Sequence, residues 1–263
     1  MAKANIGDAE IYYESHGEGE PLLLVSGLGG TAAYWKPNLP ALAAKYRVIV
    51  HDHRGAGTSS HSKIRYSVDQ MTDDLVRLMD HLKIERAHLL GHSTGGAIGQ
   101  TLAATQPERL KSMVLFATWP KADIYFKRLF ELRRAVLTEI GPEQYTRAGT
   151  LFLYPDWWIK SNEAMIRERE ALTVKNFPPP EVVASRIDAI VAFDRTADLA
   201  RIKVPTLVIC GKDDLITPAY FSEELAQKIP GAQLVILPKG GHCANETAIE
   251  LFNPPVLDFL RRN

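Results

Sequence analysis

Cysteine is scarce in this chain: only Cys210 and Cys243 occur in 263 residues, too few for a cross-linked secreted scaffold, so free thiols are expected. Net charge is also missing. Lysine plus arginine and aspartate plus glutamate stand at 31 each, which gives no electrostatic footprint for nucleic acid or an anionic membrane. No stretch approaches the roughly 20 apolar residues of a membrane span, and Met1 to Asp8 lacks the apolar run of a signal peptide. The expected compartment is therefore the cytoplasm. No Gly-Lys-Ser or Gly-Lys-Thr follows a glycine-rich loop, which excludes a Walker-type nucleotide site. His51 and His53 share a face of a strand but lack a third ligand nearby, so a structural turn is expected there and no metal.

What is present is ample for one large α/β domain with an insertion, or at most two domains: 46% hydrophobic and 24% charged residues, an ordinary globular composition. Strand-like runs at residues 10–15, 22–25, 47–50, 87–90, 112–116, 205–210 and 234–237 alternate over much of the chain with helical patterns. One such helix should be capped by Ser67 and bury Val68, Met71, Leu75, Leu78, Met79 and Leu82. Alternation of this kind predicts a mostly parallel sheet covered on both faces. The alternation breaks from Trp119 to about Arg195, where only helix-like runs occur, at 123–139, 142–152, 158–175 and 181–193. The expected division is a core of residues 1–118 and 196–263 with a helical cap of residues 119–195.

Gly91-His92-Ser93-Thr94-Gly95-Gly96 places one serine between glycines where a buried strand should turn sharply into a helix. A side chain at Gly91 or Gly95 would collide with neighbouring backbone, and the helix that follows offers free N–H groups to an anion formed beside the serine. Ser93 is thus a candidate nucleophile. Ser26-Gly27-Leu28-Gly29-Gly30 follows an earlier strand, and its glycines let the backbone approach a ligand, with the Leu28 N–H available to an oxyanion. An acid follows the strand ending at Cys210, in Gly211-Lys212-Asp213-Asp214, and His242 follows the last strand. Nucleophile, acid and base in that order, each just past a strand, are what a triad on a parallel sheet requires.

Over essentially its whole length the chain resembles an α/β-hydrolase, through these motifs together with Asp52-x-Arg54-Gly55-x-Gly57-x-Ser59 and the run from Gly211 to Pro218. Gly91 to Gln100 and Pro107-Glu108-Arg109-Leu110 are similar to 3-oxoadipate enol-lactonases. Ser26 to Gly30 with Tyr34-Trp35, Leu151 to Pro155, and Gly240-Gly241-His242 are closer to the aminoacrylate hydrolases of pyrimidine-ring degradation. Ser26 departs from the histidine that many of these enzymes carry before the oxyanion glycine.

The resemblance implies a serine hydrolase of a small ester, lactone or amide-like metabolite, working through Ser93, His242 and Asp214. The acid is Asp214 rather than Asp213 because the family pattern places it three residues after Gly211 and four before Pro218. The Leu28 and Thr94 backbone N–H groups would hold the oxyanion. No cofactor is implied, and the only partner implied is a small-molecule substrate. Candidate pocket residues are Gly27, Tyr125, Trp157 and Trp158.

Cys243, next to the base in sequence, is expected to be a packed thiol. Lys127, Arg128, Arg133, Arg134, Arg147, Arg167 and Arg169 make the insertion basic; periodicity assigns most of them to solvated faces, and one or two turned inward would suit a substrate carboxylate. Cofactor-free haloperoxidases and C–C bond hydrolases use a similar triad, and a binding module without turnover could keep the fold, so these are the alternative readings.

Overall fold

The computed structural model describes residues 2–263. Its framework is an eight-stranded sheet of β1 (Ala2–Asn5), β2 (Glu10–His16), β3 (Pro21–Val25), β4 (Arg47–His51), β5 (Ala87–His92), β6 (Leu110–Phe116), β7 (Thr206–Gly211) and β8 (Gln233–Leu237). The order across the sheet is β1-β2-β4-β3-β5-β6-β7-β8. The β1–β2 and β2–β4 pairs are antiparallel and every other pair is parallel. The mostly parallel sheet is as the alternation predicted. β1 was not anticipated, because Ala-Lys-Ala-Asn has no β-branched or aromatic residue and buries only Ala4 at the sheet edge.

Successive residues of the central strands enter two different cores. Leu23, Ile49, Leu89, Met113 and Val208 face one side, while Leu22, Leu24, Val48, Leu90, Val114 and Ile209 face the other. That is why these strands read as unbroken apolar runs. Helices α1 (Leu39–Ala43), α2 (Val68–His81) and α3 (Thr94–Thr105) lie in the connections from β3 through β4 and β5 to β6. Ser67 caps α2 by accepting the Gln70 N–H at 3.1 Å.

Between β6 and β7 the chain is helical: α4 (Ile124–Ala135), continuing into a π-turn at Val136–Ile140, then α5 (Pro142–Leu153), α6 (Asp156–Ser161), α7 (Glu163–Lys175) and α8 (Pro180–Val191). A bridge between Lys121 and Asp194, reinforced by a 2.7 Å ion pair, draws the ends of this insertion together. The run expected at 158–175 begins earlier, at Asp156, and is broken at Asn162. That residue leaves helical geometry and its side chain donates to Trp158 O at 2.8 Å, an asparagine competing with the helix for backbone partners. Helices α9 (Ala219–Lys228), α10 (Ala244–Thr247) and α11 (Ile249–Arg261) follow the last two strands.

His51 ends β4 and its ring stacks on His53 at 5.0 Å; both are buried, and no group of three metal-ligating side chains occurs among the described residues. Burial, with the nearby Arg186 charge, pulls His51 down to about 4 and His53 well below its ordinary value. Both are neutral in the folded protein, whereas in the unfolded chain they titrate near 6.5. Below that pH the unfolded state binds more protons, so stability falls as pH drops from about 6.5 toward 4. His51, held neutral to pH 5, contributes about 2 kcal/mol to the loss, and His53 adds to it in the same direction. The urea midpoint should fall between pH 7 and pH 5, and His51→Gln should flatten that fall; an unchanged pH dependence in the variant would contradict the assignment.

Candidate active site

Ser93 sits at the junction of β5 and α3 with φ 54° and ψ −115°, a backbone conformation that non-glycine residues rarely hold. The surroundings enforce it. The Ser93 N–H donates to Phe116 O on β6 at 2.8 Å, and Thr118 Oγ1 donates to Ser93 O at 2.8 Å. There is no room for side chains beside it: a Cβ on Gly91 would lie 2.3 Å from Gly95 O, and one on Gly95 would lie 2.0 Å from Val25 O of β3. The collision expected from the motif is therefore with backbone of the neighbouring strand and helix. The turn aims the start of α3, with its positive dipole end, along the edge where the parallel strands finish.

β7 and β8 end on the same edge and deliver Asp214 and His242. Asp214 accepts from the backbone N–H of Ile216 at 2.8 Å and of Thr217 at 3.0 Å, and from Thr217 Oγ1 at 2.8 Å. Its remaining partner is His242 Nδ1, 2.8 Å from Oδ2 and 3.0 Å from Oδ1. A carboxylate only accepts, so the proton of this contact lies on Nδ1 and Nε2 carries the free lone pair. No hydrogen bond joins Nε2 to the Ser93 hydroxyl in this structure. Asp213 takes a different place: its Oδ1 accepts the Gly241 N–H at 2.8 Å and steadies the histidine loop from the side. Ser93, Asp214 and His242 are all buried.

The loop after β3 closes on the serine. Gly27 lies where a Cβ would come 3.1 Å from both Ser93 Cβ and His92 Nδ1. Gly30 N–H donates to Gly27 O at 3.0 Å, and Ser26 Oγ donates to Thr31 O at 2.9 Å, so the serine that replaces the family's histidine ties the loop to itself. Asp52 anchors the far end through the Ala32 N–H at 2.8 Å. The N–H groups of Leu28 and Thr94 donate to nothing within the described residues.

Several supporting residues were not legible beforehand. His92, the residue before the serine, donates from Nε2 to the His242 carbonyl at 3.0 Å, and its ring packs on that of His242 at 4.6 Å and on Tyr34 at 4.7 Å. Burial pulls its pKa well below 6.5, so it stays neutral. Tyr34 Oη in turn donates to Asn245 Oδ1 at 2.7 Å, and Asn245 and Asn38 exchange hydrogen bonds at 3.0 and 3.1 Å. Only the Gly-x-Ser position of His92 and the Tyr34-Trp35 pair signalled this in the sequence. Cys243 is buried and burial raises its thiol, as expected of a packed side chain.

The insertion meets the site loops at three points. Tyr125 Oη donates to Leu215 O at 2.5 Å, Pro155 Cδ sits 2.9 Å from where a Cβ on Gly241 would be, and Arg186 donates to Leu28 O at 3.0 Å. Trp157 is exposed, with the Lys239 ammonium 5.0 Å from its ring centre, whereas Trp158 is buried in a 4.6 Å stack on Tyr154. Of the seven basic residues, Arg128, Arg134, Arg147 and Arg167 form exposed ion pairs and Lys127 is exposed. Arg169 is held by Glu246 at 2.6 Å. Arg133 alone of the seven is buried, with its guanidinium carbon 5.1 and 5.2 Å from the Phe130 and Tyr145 ring centres.

A serine at a strained strand-to-helix turn, a buried Asp–His pair and a glycine-rich loop, carried on the ends of parallel strands, are the arrangement of an α/β-hydrolase. Residues 20–248 match the family model of the alpha/beta hydrolase fold, and the chain belongs to that family. It is 42% identical over 259 residues to a protein of Azorhizobium caulinodans that bears the name carbamate hydrolase RutD, covering 98% of each chain. The enol-lactonase structure from Burkholderia xenovorans LB400 superimposes with a TM-score of 0.92 at 30% identity, over 99% of this chain and 100% of that one. A bromoperoxidase from Bacillus anthracis is similar at 26% identity with a TM-score of 0.89, covering 99% of each. The protein is an α/β-fold hydrolase.

The strain at Ser93 is testable without an assay. Alanine at this position keeps the Cβ that makes φ 54° costly, and glycine removes it. Ser93→Gly should be more stable than Ser93→Ala by about 1 to 2 kcal/mol, or roughly 3 to 6 °C in Tm for a chain of this size. Equal melting temperatures would show that the elbow is unstrained.

Proposed function

We propose that the protein is a serine hydrolase that cleaves a small ester, lactone or amide-like metabolite through an acyl-enzyme, with the insertion of residues 119–195 acting as a cap over the pocket. The observation that carries this reading is the buried Asp214–His242 pair, set at 2.8 Å on the same sheet edge as the strained Ser93. In this mechanism Ser93 Oγ attacks the carbonyl carbon while His242 Nε2 takes the hydroxyl proton, and Asp214 stabilises the imidazolium. The negative oxygen is received by the Leu28 and Thr94 N–H groups, which have no other partner among the described residues; losing one such donor typically costs about 3 to 4 kcal/mol. The His242 proton passes to the leaving group, and water activated by the same histidine releases the acid from Ser93.

The contact between Ser93 and His242 is one that forms or tightens when substrate fills the site. Tyr125, Trp157 and Trp158 would furnish the cap side of the pocket and Gly27 its floor. The name borne by the relatives at 42% and 40% identity favours the amide-like end of the range. The likeness to a bromoperoxidase at 26% identity keeps a second reading, a cofactor-free haloperoxidase or C–C hydrolase run by the same triad. We assign the enzyme to the cytoplasm, where two buried free thiols persist; no helix among the described residues is long and apolar enough to cross a membrane.

Ser93→Ala and His242→Ala should each lower turnover of a p-nitrophenyl ester by several powers of ten. Asp214→Asn should cost about 10⁴-fold, through the wrong imidazole tautomer. Asp213→Asn should be mild, because an amide oxygen can still accept the Gly241 N–H. Steady-state kinetics on folded variants check the ranking, and a larger loss at Asp213 than at Asp214 would overturn it.

A further inference from the structure

Arg186, on α8 of the insertion, is 1% exposed and forms no ion pair among the described residues. The hydrogen bonds of its guanidinium go to backbone alone, and its Nε has no partner among the described residues. Nη1 donates to Arg54 O at 2.5 Å and Nη2 donates to Leu28 O at 3.0 Å, while the Tyr66 ring centre lies 5.7 Å from its central carbon. A buried cation without a carboxylate is costly, so its retention asks for a reason. Part of the cost is met at a distance, by the Asp74 carboxylate that Arg54 pairs, whose charge also favours the Arg186 cation.

The turn that Arg186 touches is otherwise poorly held at its centre. The Gly30 N–H bond to Gly27 O fixes its ends. Its central residues, Leu28 and Gly29, make no backbone hydrogen bond among the described residues. Nothing lies within 4 Å of where a Cβ on Gly29 would be, so packing does not hold that side of the turn either. The bond from Arg186 to the Leu28 carbonyl is the hydrogen bond that ties Leu28, and with it the Leu28 N–H, to the rest of the fold.

We infer that Arg186 is a positioning residue for the oxyanion hole: by holding the Leu28 carbonyl from behind, it fixes the turn in which the Leu28 N–H meets the oxyanion and makes turnover depend on the seating of α8. The inference rests on the serine-hydrolase reading. An arginine is required because a planar fork can span two carbonyls, whereas an ammonium on a lysine stem reaches one.

The test uses the full-length protein with Arg186→Met and Arg186→Lys, p-nitrophenyl acetate as substrate, and phenylboronic acid as the mimic of the tetrahedral anion. Active sites are counted by complete labelling of Ser93 with a fluorophosphonate, so that kcat refers to folded enzyme only. Arg186→Met should lower kcat per labelled site by about 10²-fold, the scale of a lost oxyanion donor. KM should stay within about threefold, and the boronate inhibition constant should rise in step with the loss in kcat. Arg186→Lys should lose about tenfold in both, and it carries the test if the methionine variant does not fold. A purely structural role would reduce the number of labelled sites and Tm but leave kcat per site and boronate affinity unchanged. Values for both within twofold of wild type in the folded variants would overturn the inference. Failure of the underlying reading has a separate signature, namely no labelling of Ser93 in the wild type or undiminished turnover in Ser93→Ala.

Discussion

The close crossing of β3, β5 and α3 at Ser93 is the constraint on which the rest of the molecule depends. Gly95 rests against the Val25 carbonyl and Gly91 against the Gly95 carbonyl, at separations that leave no volume for a methyl group. Backbones this close force the chain to reverse within one residue, and that residue must hold a positive φ. Two hydrogen bonds from the neighbouring strand and its continuation, through Phe116 and Thr118, keep it there. Strain of this kind survives only where its surroundings over-determine it, and here the surroundings are the sheet itself. The return is a serine raised above the strand ends, with the positive end of a helix beside it.

Everything else converges on that point by the geometry of parallel strands. β7 and β8 end where β5 ends, so a carboxylate and an imidazole from distant parts of the sequence meet at 2.8 Å without a long loop to bring them. A second imidazole stands beside His242. His92, neutral through burial, can pack on the His242 ring and hold its carbonyl without placing a positive charge beside it. The insertion then touches the acid loop through Tyr125, the histidine loop through Pro155 and the oxyanion loop through Arg186, so its helices bear on each of the three loops that the proposed chemistry uses.

Residues whose reason is local were legible in the sequence: the glycines around Ser93, the Ser67 cap and the unbroken apolar strands. Asp214, which only the family pattern singled out as the acid, bonds the imidazole, and Asp213 bonds the backbone of the loop that carries it. Residues whose reason is long-range were not legible. Arg186 reads as one more charge on an amphipathic helix, and only the tertiary structure shows its partners 132 and 158 positions away. β1 was hidden because alanine, lysine and asparagine carry no strand preference, and its existence follows from pairing with β2. Arg133 looked like its six basic neighbours until packing placed it between Phe130 and Tyr145.

The central claim is that hydrolysis passes through an ester on Ser93. Rapid acid quench during turnover of a p-nitrophenyl ester, followed by peptide mass spectrometry, measures it directly. The account predicts one acyl group per chain on the peptide containing Ser93, appearing with the initial burst of p-nitrophenol and absent from Ser93→Ala. Continued turnover with Ser93 unmodified throughout, and no burst, would contradict it.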